Sequence, residues 1–181
     1  MASIRRLKTD GILPSQQLQE VAMQYSPIPL QKIQTLGRVV ESATEVRGYA
    51  ETLVSWLHTC FSAHAPKQRW GVEFVVSSDN VSAEINTLFG SARSGLSMQV
   101  GNDGIFGRYV IEKRVKGAQG ETAWRPVWAI RIEKDGSVLD GDTGNALFNA
   151  WQDFERDCSG AVHHLAGSIL YSIGTTGEFN D

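Results

Sequence analysis

Cysteine is scarce in this sequence, with only Cys60 and Cys158 among 181 residues. That number is far too low for the disulfide scaffold of a small secreted domain. Both cysteines fall in segments with apolar neighbours at helical spacing, where a free thiol behaves as a small buried hydrophobic side chain. We therefore expect both to be reduced residues of the core.

An excess of charge of one sign is also absent, because 17 Lys and Arg oppose 20 Asp and Glu to leave a net charge of -3. The field of the whole molecule is too weak to recruit nucleic acid, which would need a local basic patch. No apolar run has the length of a membrane span, and none of signal-peptide length follows the early charges Arg5, Arg6 and Lys8. We expect a cytoplasmic protein that does not contact the membrane.

The usual signatures of catalysis and cofactor binding are missing as well. Gly101, Gly104 and Gly107 fall short of a dinucleotide fingerprint, and the chain has neither a phosphate-binding Gly-Lys-Ser/Thr nor a Gly-x-Ser-x-Gly elbow. Residues 140–145 resemble the first half of a calcium loop, but Trp151 stands where the twelfth-position carboxylate is needed. We expect no cofactor and lean against an enzyme, although triads can assemble from distant positions.

A zinc site is a weak alternative. Cys60 and His64 are four residues apart on a predicted helix, and Cys158 with His164 could complete a set of four ligands if two helices pack together. The adjacent His163 and His164 point about 100° apart on a helix and cannot both reach one ion from the same turn. Since no Cys-x-x-Cys or His-Glu-x-x-His pair is present, we expect solvated histidines and no metal.

The patterns of apolar and polar residues that are present predict a single α+β domain over residues 1–181, with residues 1–13 and 175–181 poorly ordered. A chain of this length can bury roughly two-thirds of its unfolded surface in one core. Helical spacing of apolar residues predicts a short helix at Ser15–Tyr25, a long helix from Leu36 to about His64, and a long helix from Asp142 or Thr143 to about Tyr171. The apolar arc of the first long helix covers about half its circumference, so it needs a second neighbour besides the sheet. That neighbour is either the Ser15–Tyr25 helix or another molecule.

Alternation of apolar and polar residues predicts an antiparallel sheet of about five strands in meander order between the two long helices. The predicted strands cover residues 70–76, 81–88, 96–100, 105–115 and 122–133, with residues 90–95 as a connection. In the last of these strands the pattern places Trp124, Trp128, Ile130 and Ile132 on one face and Arg125 and Arg131 on the other.

Our first functional hypothesis is a noncatalytic binding or regulatory module that works through protein contacts. The wide apolar arc and the missing catalytic signatures motivate it, and the candidate contact residues are Tyr49, Trp56 and Trp70. An exposed aromatic patch would mark an interface with another protein or with a second copy of this chain.

A second hypothesis is binding of nucleic acid or phosphate by a basic sheet face. Its candidate residues are Arg108, Arg114, Lys116, Arg125, Arg131 and Lys134. We favour the alternative that Glu112 and Glu133 form ordinary cross-strand charge pairs there, because no exposed aromatic pair is interleaved to stack bases. A third hypothesis is a small-ligand pocket lined by Trp124, Trp128 and Trp151, although such tryptophans more often belong to the core.

Overall fold

The computed structural model describes residues 30–101, 104–117, 120–141, 144–151 and 159–176. It has an α+β fold in which helices pack against one antiparallel sheet, which confirms the predicted class. The strands follow one another in chain order, so the sheet is a meander, and it curls into a half-barrel. The predicted Ser15–Tyr25 helix lies outside the described residues, as do residues 1–13 and 177–181.

Three helices are described: α1 at Leu30–Ser62, α2 at His64–Trp70 and α3 at Ser159–Thr175. The sheet contains β1 at Glu73–Val76, β2 at Ala83–Thr87, β3 at Gly90–Gly101, β4 at Gly104–Lys116, β5 at Thr122–Glu133, β6 at Ser137–Asp140 and β7 at Ala146–Asn149. Within the described ranges, no helix is both long enough and apolar enough to cross a membrane.

Within the part of the chain that the structure describes, the sheet has seven strands and not the predicted five. β6 and β7 were missed because each is only four residues long, too short for a two-residue period to stand out. β7 also overturns the predicted start of the last helix near Asp142. That start was predicted because Leu147 and Trp151 happen to be spaced as on a helix. Pairing decides the conformation here: β7 lies antiparallel to β6, and the Ala150 N–H donates to the Gly136 carbonyl at 2.7 Å.

The start of the first strand is a further correction. Residues 70–76 were expected to be extended, but Trp70 ends α2 and β1 begins at Glu73. Proline is tolerated in the first turn of a helix, so Pro66 belongs to α2 although it cannot continue α1. Gly71 then closes α2 in the left-handed conformation, with φ of 60°, and donates its N–H to the Lys67 carbonyl. Residues 90–95, expected to be a connection, are part of β3.

A β-bulge changes which side chains of β5 share a face. Ile111 pairs with Trp128 but the next residue, Glu112, pairs with Pro126, so Val127 is the extra residue. A single inserted residue reverses the alternation beyond it. Trp124 therefore lies opposite Arg114 on the outer face of the sheet, and the prediction that it shares a face with Trp128 is wrong.

The core lies between the inner face of the sheet and helices α1 and α3. From α1 it takes Val46, Leu53, Leu57 and Phe61, as the helical spacing predicts, and from α3 it takes Leu165 and Ile169. The helix α1 approaches β4 closely at Gly107, where a Cβ would meet Val46 Cγ1 at 2.8 Å and Leu96 Cδ1 at 2.9 Å. α3 and β7 also contact α1, and together with the sheet they cover the wide apolar arc of α1 within the described chain.

Candidate functional site

The hairpin turn between β2 and β3 carries two large apolar side chains, Leu88 and Phe89, where polar residues or glycine are usual. Gly90, with φ of 115°, takes the left-handed position that the turn requires. The Thr87 hydroxyl accepts a hydrogen bond from the Phe89 N–H at 3.0 Å and donates one to the Gly90 carbonyl at 2.9 Å. These bonds hold the turn with Leu88 85% exposed and Phe89 57% exposed.

Beside this turn lies an open cavity of about 520 Å³, which we call the apolar groove. Helix α2 contributes Trp70 to one wall, the β2–β3 turn contributes Leu88 and Phe89, and α3 contributes Tyr171, which is 73% exposed. The remaining lining residues are Arg69, Gly167, Leu170, Gly174 and Thr175. A contiguous exposed apolar surface of this kind marks a binding site more often than isolated exposed side chains do.

Glycines let the turn lie close to both helices. The ring of Phe89 passes over Gly174 of α3, where a Cβ would be 3.5 Å from Phe89 Cδ2 and Cγ. On the other side Leu88 lies over Gly71, where a Cβ would be 3.4 Å from Leu88 Cγ. The two exposed side chains of the turn are therefore placed between the end of α2 and the last turn of α3.

Trp70 forms the wall of the groove that is anchored in the core. Its indole packs edge-on against Phe61 at 6.2 Å between ring centroids, and Phe61 stacks on Phe74 of β1 at 5.2 Å. The ring of His163, on α3, lies 4.8 Å from the Trp70 ring. These contacts tie α1, α2, β1 and α3 together directly behind the groove.

Of the predicted interface residues, only Trp70 lines this groove. Tyr49 and Trp56 are half-buried against the core, and Trp56 packs on Phe148 of β7 at 5.7 Å between ring centroids. Sequence reasoning missed Leu88, Phe89 and Tyr171. The available signal was the pair of large apolar residues immediately before Gly90, of which we had assigned Leu88 to the end of the second strand and Phe89 to no element.

Cys60 lies beside His163 and not beside the predicted His164, with 3.8 Å between Sγ and Nδ1. Burial raises the pKa of the Cys60 thiol, which disfavours a nucleophilic thiolate at neutral pH. Within the described residues, no group of three or more His, Cys, Asp or Glu side chains could hold a metal ion. Cys158 lies outside those residues, as does the side chain of His64.

The six predicted basic-face residues do not share one face. Arg108 pairs directly with Arg131 on the outer face, and Arg114 and Lys116 continue that face along β4. Arg125 pairs with Lys113, which places it on the opposite face beyond the bulge, and Lys134 lies in the turn after β5.

Two carboxylates also lie on this outer face. Glu112 forms a 2.7 Å ion pair with Arg93, and Glu133 forms one of 2.6 Å with Arg131. The Arg93 guanidinium also lies over the Trp124 ring, 4.5 Å from its centroid, and Trp124 is 37% exposed. An exposed aromatic ring is therefore present on the basic face, which the uncorrected strand pattern did not predict.

The three tryptophans of the predicted ligand pocket are separated. Trp124 lies on the outer face, whereas Trp128 lies on the inner face and donates its indole N–H to Asp140 Oδ1 at 2.9 Å. Trp151 follows β7 and is exposed. Trp124 and Trp128 thus cannot line one pocket.

Comparison of the chain with protein-family models, with curated proteins and with solved structures finds no match. The function must therefore be inferred from the groove, the sheet face and their chemistry.

Proposed function

We propose that this chain is a noncatalytic protein-binding module that contacts another protein through the apolar groove. The observation that carries the proposal is the pair Leu88 and Phe89, held out at the tip of a hairpin by the Thr87 hydroxyl. Exposing two large apolar side chains at a turn costs hydration free energy, and departures from local preference of this kind concentrate at functional sites. Burial of Leu88, Phe89 and Tyr171 against a partner would recover that free energy.

The aromatic composition of the groove supports the same function. Trp and Tyr are enriched among the residues that dominate binding free energies, and Trp70 and Tyr171 both line the groove. Trp70 is held by Phe61 and His163 before any partner binds, so little side-chain entropy is lost on association.

Substitution of both turn residues by serine, in Leu88→Ser with Phe89→Ser, is expected to weaken partner binding by about tenfold or more. Losing two exposed apolar contacts of about 1 kcal/mol each suffices for that factor. The free energy of unfolding should fall by no more than about 2 kcal/mol, because Leu88 is mostly exposed and Phe89 loses only its partial burial against Gly174. The matched control is Val100→Ser, which changes an exposed apolar residue of β3 that does not line the groove.

The measurement is photocrosslinking in the cells that make the protein, with benzoylphenylalanine in place of Tyr171 or, as a control, of Val100. We expect a discrete protein adduct from position 171 that disappears in the Leu88→Ser, Phe89→Ser background and persists with Val100→Ser. An adduct unaffected by the turn substitutions, or equal yields from both positions, would contradict the proposal.

A second candidate function is binding of nucleic acid or phosphate by the outer sheet face, and the position of Trp124 beside Arg93 and Arg114 favours it. This candidate predicts that a single-stranded oligonucleotide binds at low salt, that binding weakens steeply as salt rises, and that Trp124→Ala weakens it further by about 1–3 kcal/mol. Fluorescence anisotropy of a labelled oligonucleotide measures all three. Absence of binding at about 20 mM salt, where exposed charges are only weakly screened, would reject it.

A further inference from the structure

Positive charge borders the apolar groove. Arg69 lies in the last turn of α2, is exposed and lines the groove, and Lys67 lies in the same turn. No Asp or Glu of the described residues lines the groove, and none of the described ion pairs engages Arg69. An exposed guanidinium next to an apolar surface presents a planar fork that matches a carboxylate.

A second cation lies beneath the turn. Lys113 is only 8% exposed, and its Nζ donates to the Thr176 carbonyl at 2.7 Å, just beyond the end of α3. Its Cε lies 3.7 Å from the position that a Cβ on Gly90 would take. The carbonyl end of a helix carries partial negative charge, which the Lys113 ammonium offsets at this point. Because Lys113 offsets this partial negative charge, the last turn of α3 does not cancel the positive charge of Arg69 across the groove.

We propose that the groove accepts a short apolar segment of a partner protein that carries an acidic residue next to its aliphatic or aromatic side chains. This inference rests on the protein-binding function proposed above and names the chemistry of the partner. The apolar side chains pack between Trp70, Phe89 and Tyr171, and the carboxylate pairs with Arg69. A cavity of about 520 Å³ falls in the size range of sites that enclose a few side chains.

Charge argues against a second copy of this chain as the occupant. A two-fold contact places the same patch on both subunits, so the patch must complement itself. The described lining offers a cation and apolar side chains but no carboxylate to meet the Arg69 of another copy. An acidic apolar peptide satisfies both features of the groove, whereas self-association satisfies only the apolar one.

The test is selection of random twelve-residue peptides displayed on phage against the immobilised full chain, followed by fluorescence anisotropy of the best synthetic peptide. Selection is run on the wild type, on Leu88→Ser with Phe89→Ser, on Arg69→Gln and on Arg47→Gln. Arg47 is the matched control, because it is an exposed arginine of α1 that does not line the groove. A further variant, Phe179→Ala, asks whether residues 177–181 of the chain compete for the groove.

We expect the wild type to enrich peptides with Asp or Glu within two positions of a Leu, Ile, Phe or Trp. Arg69→Gln should weaken the best peptide at least fivefold and Arg47→Gln less than twofold. Arg69→Glu should weaken it further, and a peptide with Lys in place of its acidic residue should recover binding to Arg69→Glu. That reciprocal exchange is specific to a direct charge pair.

The outcomes separate the two proposals. Apolar peptides without acidic preference, lost in the Leu88→Ser, Phe89→Ser variant, would overturn the acidic partner and leave protein binding by the groove intact. Lack of any enrichment that depends on Leu88 and Phe89 would overturn both. Self-association that sedimentation velocity detects in the wild type and that those substitutions abolish would identify a second copy as the occupant. Peptide enrichment seen only with Phe179→Ala would identify the chain's own residues 177–181 as the occupant. Either result overturns the acidic partner.

Discussion

Replacing Phe61 by alanine is expected to lower the free energy of unfolding by about 3–5 kcal/mol, the usual cost of truncating a buried phenylalanine. Phe61 is fully buried and contacts Phe74 of β1 and Trp70 of α2, so its removal leaves a cavity between three elements. The surrounding rings are too large and too well anchored to fill that space. Urea unfolding followed by circular dichroism measures the change.

The Phe61→Ala substitution has two useful comparisons. Phe61→Leu retains most of the buried volume and should cost about 1–1.5 kcal/mol. Val40→Ala changes an exposed residue of the same helix and should shift stability by no more than about 0.5 kcal/mol. A loss from Phe61→Ala no larger than that from Val40→Ala would mean that α1 does not pack against α2 and β1 as described. Phe61→Ala should also weaken binding at the groove, because Trp70 loses its support.

Raising the pH above 10 is expected to destabilise the protein through Tyr109. Its side chain is fully buried on β4, and burial raises the pKa of its phenol to about 12, although the 2.6 Å hydrogen bond with the Ser94 hydroxyl opposes that shift. The unfolded chain releases this proton near pH 10, whereas the folded protein holds it to about pH 12. The stabilising contribution is therefore complete below pH 10 and is lost at about 1.4 kcal/mol per pH unit up to pH 12.

The matched variant for this prediction is Tyr109→Phe. At pH 7 it should be less stable by about 1 kcal/mol, because the Ser94 hydroxyl loses its buried partner. Between pH 9 and pH 11, however, the wild type should lose about 1.4 kcal/mol more than the variant does. The pKa of Tyr49 is also raised, by partial burial and then by the charges of Glu45 and Asp135, but that effect is common to both proteins and cancels.

Urea unfolding at several pH values measures this difference, and absorbance at 295 nm follows tyrosinate formation directly. In the wild type one tyrosine should ionise only near pH 12 or as the protein unfolds, and that late step should be missing from Tyr109→Phe. Parallel pH profiles for the two proteins would show that Tyr109 ionises freely in the folded state, in contradiction to its burial.

The long elements α1, β4 and β5 were predicted well because their periods repeat several times, whereas the first half of β3 was assigned to a connection. The spacing of Val46, Leu53, Leu57 and Phe61 repeats over four turns of α1, and these residues are all buried in the structure. β4 and β5, at thirteen and twelve residues, likewise show enough alternation to be recognised. The class of the fold follows from such signals, since they report how the chain alternates between burial and exposure.

Short elements and irregularities were not predicted because local patterns do not contain the information. β6 and β7 extend because they pair with neighbours, and the helical spacing of Leu147 and Trp151 pointed the other way. The bulge at Val127 cannot be read from β5 alone, since it depends on how β5 aligns with β4. That single residue moved Trp124 to the basic face and Arg125 away from it.

The amino-acid sequence alone decided the balance of charge, which follows from composition. It also decided the class of fold and the positions of α1, β4 and β5, because periodic patterns depend on residues close together along the chain. Tertiary structure alone decided the apolar groove. Its walls come from α2, from the turn after β2 and from α3, which are about twenty and eighty residues apart along the chain, and side chains so distant are brought together only by packing. Leu88 looked like the end of a strand in sequence and Phe89 was assigned to no element; their exposure beside Trp70 and Tyr171 is a property of the assembled fold.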